Sequence, residues 1–288
     1  MKLYPESFDQ LMPSSSRNSR STGADDAPAC SPDLSAYAIK SRTKIIKLIE
    51  EVGRRHDRRQ VFRDFVTMSA VALSKADLRQ AEEREKLYMQ TVRKYSTDEA
   101  SKIAHMFAEL QVGLEFAPRD ILGEIFMSME LGNSRMGQFF TPYALCELMA
   151  ELTLSEDPHE KIKKNGYITV SEPASGSGAT IIALMLAMEN RGLNYQRHVH
   201  VTATDLDSTA ASMAYVQLSL MHVPAVIVHG NTLTLEEYSH WYTPAHIFGN
   251  WSMRLDNARK HRLQEEANMA AYGANTDEVE DTETQRPR

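Results

Sequence analysis

Residues 171–179 read Ser-Glu-Pro-Ala-Ser-Gly-Ser-Gly-Ala, with an apolar run leading in over 167–170 and another leading out over 179–188. A strand, a Gly-x-Gly turn and a helix, in that order, build the nucleotide cleft of α/β proteins. Glycines permit the tight turn and let a ligand approach the backbone. The helix start then offers unpaired N–H groups to that ligand. About 30 residues further on, Thr204-Asp205-Leu206-Asp207 closes a second apolar stretch. Asp205 there is placed to accept hydrogen bonds from ribose hydroxyls. Asp207 or Ser208 reads as a helix cap, with Ser208 the favoured one. A third apolar stretch ends Gly230-Asn231-Thr232-Leu233. Asn231 is either within reach of an adenine amino edge or a turn residue that tolerates left-handed backbone. Upstream, Met136-Gly137-Gln138-Phe139-Phe140-Thr141-Pro142 sets two aromatics ahead of a helix start. That segment is either core packing or a flap over the same cleft.

The elements that must position these residues follow from periodicity. Residues 1–35, rich in Ser, Pro, Asp and Arg, read as disordered. Residues 36–131 read as an all-helical domain: Ile45, Ile46, Leu48, Ile49 and Val52 form a stripe, and Ser96 with Glu99 forms a capping box ahead of Ile103, Met106, Phe107 and Leu110. A further helix is expected over 119–131, closed by Gly132-Asn133. Thr141-Pro142 suits an N-cap followed by proline at the first helical position, and Leu145, Leu148, Met149 and Leu152 then line one helical face. Strands are expected over 167–171, 198–204 and 225–229, and helices over 177–190 and 208–222. That alternation is a βαβαβ unit, so the fold class is α/β: a parallel, right-handed sheet covered on both faces. It occupies a domain over 132–264, and residues 265–288 read as a disordered polar, acidic tail.

Composition narrows the setting. The 288 residues are 42% apolar, enough for one core and an attached smaller domain. Cys30 and Cys146 are the only cysteines. They form no metal-ligand or disulfide pattern, which points to a reducing cytoplasm and to no metal site. Neither a signal peptide nor a long apolar run is visible, so no membrane association is expected. The net charge of −7 argues against indiscriminate nucleic-acid binding. Residues 40–63 nonetheless hold nine Lys/Arg against Glu50, Glu51 and Asp57, a local net of +6. This is either a solvated helix face or a patch facing DNA or a protein partner.

The ordered set Gly137-Gln138-Phe139-Phe140-Thr141-Pro142, Glu172-Pro173-Ala174-Ser175-Gly176-Ser177-Gly178, Asp205 and Gly230-Asn231-Thr232-Leu233 resembles the adenine-specific (N-6) DNA methyltransferases, and most of all the modification subunit of type I restriction systems. The resemblance spans residues 36–250, including the helical region. It implies a Rossmann-like S-adenosylmethionine-dependent methyltransferase domain preceded by an all-helical domain. It also implies S-adenosyl-L-methionine as cofactor, DNA as substrate and a separate partner subunit for target recognition. By the family's pattern Phe140 and Thr141 contact the methionine end, and Glu172, Pro173, Gly176 and Gly178 hold the cofactor's backbone. Asp205 takes the ribose and Asn231 meets the adenine. The family often has Asp at the positions of Glu172 and Asn231.

One departure bears on catalysis. The family places Asn-Pro-Pro followed by Tyr or Phe after a fourth strand. There an amide and a carbonyl accept the hydrogens of the target amine, and the ring stacks on the flipped base. No Asn-Pro-Pro occurs here, and the nearest substitute is Asn250-Trp251. Only 38 residues follow Asn250 (288 − 250), so the domain reads as truncated. Two functions therefore stand: an adenine-specific DNA methyltransferase in a restriction–modification setting, active alone or only with a partner subunit, and a catalytically inactive protein that keeps the cofactor pocket and acts by binding, as a regulatory or antirestriction factor. A dinucleotide-binding domain fits less well, having no use for Gly-Gln-Phe-Phe-Thr-Pro.

Overall fold

The computed structural model describes residues 32–129, 141–154 and 158–283, with side chains over 36–129, 141–154 and 158–268. Five helices come first: α1 (Pro32–Val52), α2 (Arg58–Leu73), α3 (Ala81–Val92), α4 (Thr97–Phe116) and α5 (Ile121–Ser128). In α1, Ile45, Ile49 and Val52 recur at helical spacing and are buried, while Ile46 and Leu48 pack at the margin. The expected capping box starts α4, with Ser96 and Glu99 each bonded to the other's backbone. Asp57 caps α2 by accepting from the Gln60 N–H at 3.0 Å.

The second part runs α6 (Tyr143–Thr153), α7 (Pro158–Asn165), β1 (Ile168–Glu172), α8 (Ala179–Asn190), α9 (Tyr195–His198), β2 (Val199–Asp205), α10 (Ser208–Leu220), β3 (Ala225–Asn231), β4 (Glu236–Tyr242), α11 (Pro244–Phe248) and α12 (Trp251–Glu283). The sheet order is β1-β2-β3-β4. The first three strands are parallel, in register Val170↔Val201 and Val201↔Ala225. Thus the βαβαβ unit expected from the alternation forms within a residue or two of its expected bounds, as a partial mixed sheet behind a helical N-terminal region. No helix among the described residues is long and apolar enough to cross a membrane.

Four features of the packing add to these expectations. First, the sheet is not wholly parallel, and its second face is covered only in part, by α11 and the start of α12 over His200. Val170, Val199, Val201, Ala203, Ala225 and Ile227 form the face packed in the core, whereas Thr169, Ser171 and Thr202 on the other face are exposed. Second, β4 pairs antiparallel to β3, from Val226↔Tyr242 to Asn231↔Glu236, with an irregularity at His229/Gly230. A Cβ on Gly230 would sit 2.5 Å from the Glu236 carbonyl, so only glycine lets the bulged strand approach this closely. Helical-region arginines hold β4 from outside. Arg84 donates to the His240 carbonyl at 3.0 Å and lies 4.3 Å from the Trp241 ring, and Arg79 lies 4.2 Å from the Tyr242 ring.

Third, the helical region shares its core with the sheet. One core runs from Ala38 through Phe62, Ile121 and Ile182 to Ile227, with α2 packed on α10. Fourth, the α6 face formed by Leu145, Leu148, Met149 and Leu152 is turned outward, between 46% and 65% exposed, and Cys146 and Ala150 are buried. Pro142 is its N-cap rather than its first residue. At the chain's far end, α12 continues to Glu283 where the polar composition from 265 reads as disorder. The segment 1–31 and the Gly132-Asn133 helix stop lie outside the described residues.

α11 and the start of α12 fasten to the amino ends of the strands. Thr243 caps α11, and its hydroxyl also donates to the Val223 carbonyl (2.8 Å) and accepts from the Ala225 N–H (2.9 Å). A buried polar chain follows: His200 Nε2 to His246 Nδ1 at 2.9 Å, then His246 Nε2 to Ser252 Oγ at 2.9 Å. Burial, reinforced by neighbouring positive charge, brings both imidazoles from 6.5 down to about 4. Both rings are therefore neutral when folded, while the unfolded chain takes up protons below about pH 6.5. Stability held above pH 6.5 should fall as the pH drops towards 4. Urea denaturation between pH 7.5 and 4.5 checks this. His200→Gln, which keeps a hydrogen-bonding group but does not titrate, should flatten the slope; an unchanged slope would show that these rings do not carry it.

Candidate functional site

The carboxyl ends of the three parallel strands carry Glu172, Asp205 and Asn231 as their last residues. The Gly-x-Gly loop leaves β1 directly after Glu172. This carboxylate accepts from the Ala174 N–H at 3.2 Å and from the Thr180 hydroxyl at 2.9 Å, so it spans the loop from strand end to helix start. The Ser175 N–H donates to the Thr204 carbonyl at 2.9 Å, hooking the loop to β2. Gly176 and Gly178 take φ of 53° and 93°, a region that a side chain strains. Gly178 is the N-cap of α8 and no side chain caps that helix. Its first-turn N–H groups are thus left to an outside acceptor.

Asp205 closes the loop. Its Oδ2 accepts from the Gly176 N–H at 2.7 Å and its Oδ1 from the Asp207 N–H at 2.8 Å. Burial raises the Asp205 carboxyl above the usual carboxylate value, opposed by those two backbone donors. A carboxylate offers about four lone-pair sites, so two remain for a ligand. The α10 cap is Asp207, not Ser208: it accepts from the N–H groups of Thr209 and Ala210 at 2.8 and 2.9 Å. Asn231 is engaged in its own turn, its Oδ1 accepting from Leu233 and Thr234. Both bonds use the oxygen, so its amide donor side stays out of the turn. Next to it the Thr232 hydroxyl donates to the Pro173 carbonyl at 2.6 Å, joining the third strand's exit to the glycine loop.

The structure thus brings Glu172, Pro173, Gly176, Gly178, Asp205 and Asn231 to one edge of the sheet. Thr141 begins the segment before α6, which packs on α8, and its carbonyl accepts from Cys146 Sγ at 3.8 Å. Phe140 lies outside the described residues.

Asn250 and Trp251 are not part of this edge. Trp251 is 1% exposed and meets His200, at the amino end of β2, with ring centroids 5.3 Å apart. Tyr167 packs edge-on at 5.2 Å, and the Arg254 guanidinium lies 3.6 Å from the indole centroid. The ring is therefore a core residue at the opposite end of the strands, with no face left for a base. Asn250, at φ 51°, is the turn residue that starts α12. As a pair standing in for Asn-Pro-Pro-aromatic, they are corrected by this placement.

Sequence reasoning misses the residues that hold the loop from behind. Asp120, the N-cap of α5, is buried. Its Oδ2 accepts from the Ser177 hydroxyl at 2.6 Å, and its Oδ1 from Gln217 Nε2 at 2.8 Å and the Gly123 N–H at 2.9 Å. Gln217 completes the set, donating to the Ser177 carbonyl at 2.9 Å and accepting from the Leu122 N–H at 3.0 Å. The one signal available beforehand is a glutamine interrupting the apolar face of α10. Among the described residues, no cluster of three or more His, Cys, Asp or Glu side chains is placed to hold a metal ion.

Comparison with known proteins gives three results. No curated protein matches the sequence. A solved structure from Listeria monocytogenes, described as a class I S-adenosylmethionine-dependent methyltransferase, aligns at a TM-score of 0.37 and 16% identity over 67% of this chain. The chain spans 54% of that protein's length. The family model for N-6 DNA methylases matches residues 118–275, more than half of the 288 residues and the stretch that includes the glycine loop, Asp205 and Asn231. The chain belongs to the N-6 DNA methylase family.

Proposed function

We propose that this chain binds S-adenosyl-L-methionine at the carboxyl edge of β1–β3 and serves cytoplasmic methylation of the adenine exocyclic amine in DNA, together with a partner subunit. The observation that carries the reading is the closed loop: Gly176 held on Asp205, and the uncapped start of α8 behind it. In this reading Asp205 spends its remaining lone pairs on ribose hydroxyls, and the first-turn N–H groups of α8 meet the cofactor's carboxylate end. Glu172, Pro173, Gly176 and Gly178 shape the floor, Asn231 turns its amide towards the adenine, and Phe140 with Thr141 covers the methionine portion. The cofactor supplies the methyl group from its sulfonium. The chain's task is to hold that group against an incoming amine and to exclude water.

A second reading is favoured by one observation: the only Asn–aromatic pair considered for the base lies at the wrong end of the strands. The adenine amine is a weak nucleophile that needs oriented acceptors. In the first reading a partner chain brings those acceptors. In the second, the pocket persists without chemistry and the protein acts by binding, in restriction–modification regulation or antirestriction. Transfer of labelled methyl to DNA by the chain with its cellular partners supports the first reading; cofactor binding with no transfer in any partner-containing preparation supports the second.

Cofactor titration by calorimetry tests the site directly. Asp205→Ala removes hydrogen bonds to a charged acceptor, each worth about 1.5–3 kcal/mol, and should weaken binding roughly a hundredfold or more. Unchanged affinity would reduce Asp205 to a loop clamp. Absence of binding by the folded wild type would remove the cofactor site.

Gly123→Ala tests the support behind the loop. An added Cβ would lie 2.0 Å from Asp120 Oδ2 and 2.5 Å from the Ser177 hydroxyl. It should force the Asp120–Ser177 bond open and cost about 1–3 kcal/mol of stability by leaving buried polar atoms unpaired. Cofactor affinity should fall with it. Wild-type melting and affinity would show that the network can shift without consequence.

A further inference from the structure

The turn between α1 and α2 gathers arginines. Arg54 and Arg55 lie in the turn, Arg58 and Arg59 open α2, and Arg63 follows one helical turn later. Arg93, the C-cap of α3, precedes Lys94, whose ammonium reaches Asp64 of α2 at 3.1 Å. All six arginine side chains are exposed, and none forms an ion pair among the described residues.

Of the nearby acids, Glu50 stays exposed on α1, and the others are engaged by other groups. Asp57 caps α2. Asp64 is buried beneath Lys94, the Tyr95 hydroxyl (2.8 Å) and the Gln60 amide (2.9 Å). Glu99 is taken up by the capping box and by His56 at 3.3 Å, and Glu51 faces Lys102 at 3.6 Å.

This arrangement works against folding. Beyond its Asp57 cap the first turn of α2 contains no acid, and two arginines stand where the helix end already carries partial positive charge. The chain as a whole is at −7, so the patch is local and opposite in sign to its surroundings. The choice of arginine is specific as well: a planar guanidinium grips phosphate with two parallel bonds, which an ammonium cannot do. Arg58 also lies across Gly53, where a Cβ would meet its Cγ at 2.5 Å, so the glycine leaves room for the arginine stem.

The patch connects to the candidate site through packing. Phe62, in the first turns of α2, meets Phe126 of α5 with ring centroids 5.8 Å apart, and the N-cap of α5 is the Asp120 that holds the glycine loop.

We propose that the Arg54–Arg59 turn, with Arg63 and Arg93, is a docking surface for the phosphate backbone of duplex DNA. The proposal rests on the DNA-methylase reading for its choice of polyanion. It assigns backbone contact, not sequence readout, to the helical region.

A fluorescent 20-base-pair duplex of mixed sequence, titrated across a salt series, tests it. Each phosphate contact contributes about 0.9 to the slope of log affinity against log salt. The combined variant Arg54→Gln/Arg55→Gln/Arg58→Gln/Arg59→Gln should flatten that slope by about 2–4 and weaken binding at least roughly tenfold at moderate salt. It should leave the melting temperature unchanged or raised, and the cofactor titration unaltered. Arg259→Gln/Lys260→Gln/Arg262→Gln, an exposed basic set on α12, is the charge control and should change the slope far less. If the control loses as much as the turn variant, or the turn variant keeps the wild-type slope, the surface is wrong while the DNA reading stands. If the wild type binds cofactor but no duplex at any salt, the DNA reading fails and the docking surface with it. Duplex affinity that stays wild-type while an acidic partner protein is lost from the turn variant would also overturn the proposal.

Discussion

Everything at the carboxyl edge of the sheet depends on one buried carboxyl. Asp120 draws a hydroxyl from the glycine loop, an amide from α10 and a backbone N–H from its own helix onto two oxygens. Burial pushes this group up from the ordinary carboxylate range, and the donors pull the other way. In a medium of low polarity such a network is stable only when every member is satisfied. Gln217 meets that condition by spending both ends of its amide, on Asp120 and the Ser177 carbonyl with one and on the Leu122 N–H with the other. The requirement reaches back to composition: Gly123 is glycine because any Cβ there would occupy the space of the Asp120 carboxylate. The helical region is therefore part of the construction of the loop, since Asp120 and Leu122 bond Ser177 and Gln217.

The same dependence explains what the sequence made legible. The three parallel strands and the helices between them carry their own signals, in alternating apolar residues, a glycine turn and apolar helix faces, and they form close to their expected bounds. β4 carries no such signal. Its Glu-Glu-Tyr-Ser-His-Trp-Tyr reads as polar and aromatic, and its partners, Arg79 and Arg84, lie more than 150 residues earlier in the chain. A strand stabilised by cation–π contact with a distant helix is invisible to local periodicity. Trp251 shows the reverse failure. Beside Asn250 it has the residue types of a base-holding pair, yet type does not fix depth, and only the fold places it under β2. Along α6 the apolar stripe forms one helical face as its spacing implies, but spacing does not say which face is buried, and the helix turns its small residues, Cys146 and Ala150, inward. Small residues there let α6 lie close on α8.

The sheet as described is asymmetric in a way that bears on chemistry. One face is apolar and closed by helices, while the other is covered by α11 and α12 only at the amino end of β2 and shows Thr169, Ser171 and Thr202 to solvent. β1 is bonded to β2 alone among the described residues. Along its other side a cavity of about 560 Å³ opens between α7 and α12, lined by Lys161, Tyr167, Thr169, His261 and Arg262. Strand edges of this kind are usually short, covered or charged, because an unpaired row of backbone groups invites pairing. Here the basic side chains around it supply charge.

That asymmetry separates two tasks which methyl transfer needs together. Holding a sulfonium cofactor requires a tight loop, an acid for ribose and a free helix start. The glycine loop, Asp205 and the uncapped start of α8 sit together at the carboxyl edge, held by hydrogen bonds shorter than 3 Å that Asp205 and Asp120 accept. Directing a base's amine at a methyl group requires oriented acceptors, and the side chains along the free edge of β1 are mostly basic or hydroxyl-bearing, with Asn165 and Glu265 as the acceptors among them. Preorganised electrostatics is the larger part of such catalysis. The rigidity visible in the described residues is concentrated at the carboxyl edge, where Asp205 and Asp120 hold the glycine loop, and the free side of β1 carries no comparable hydrogen-bonded framework among them.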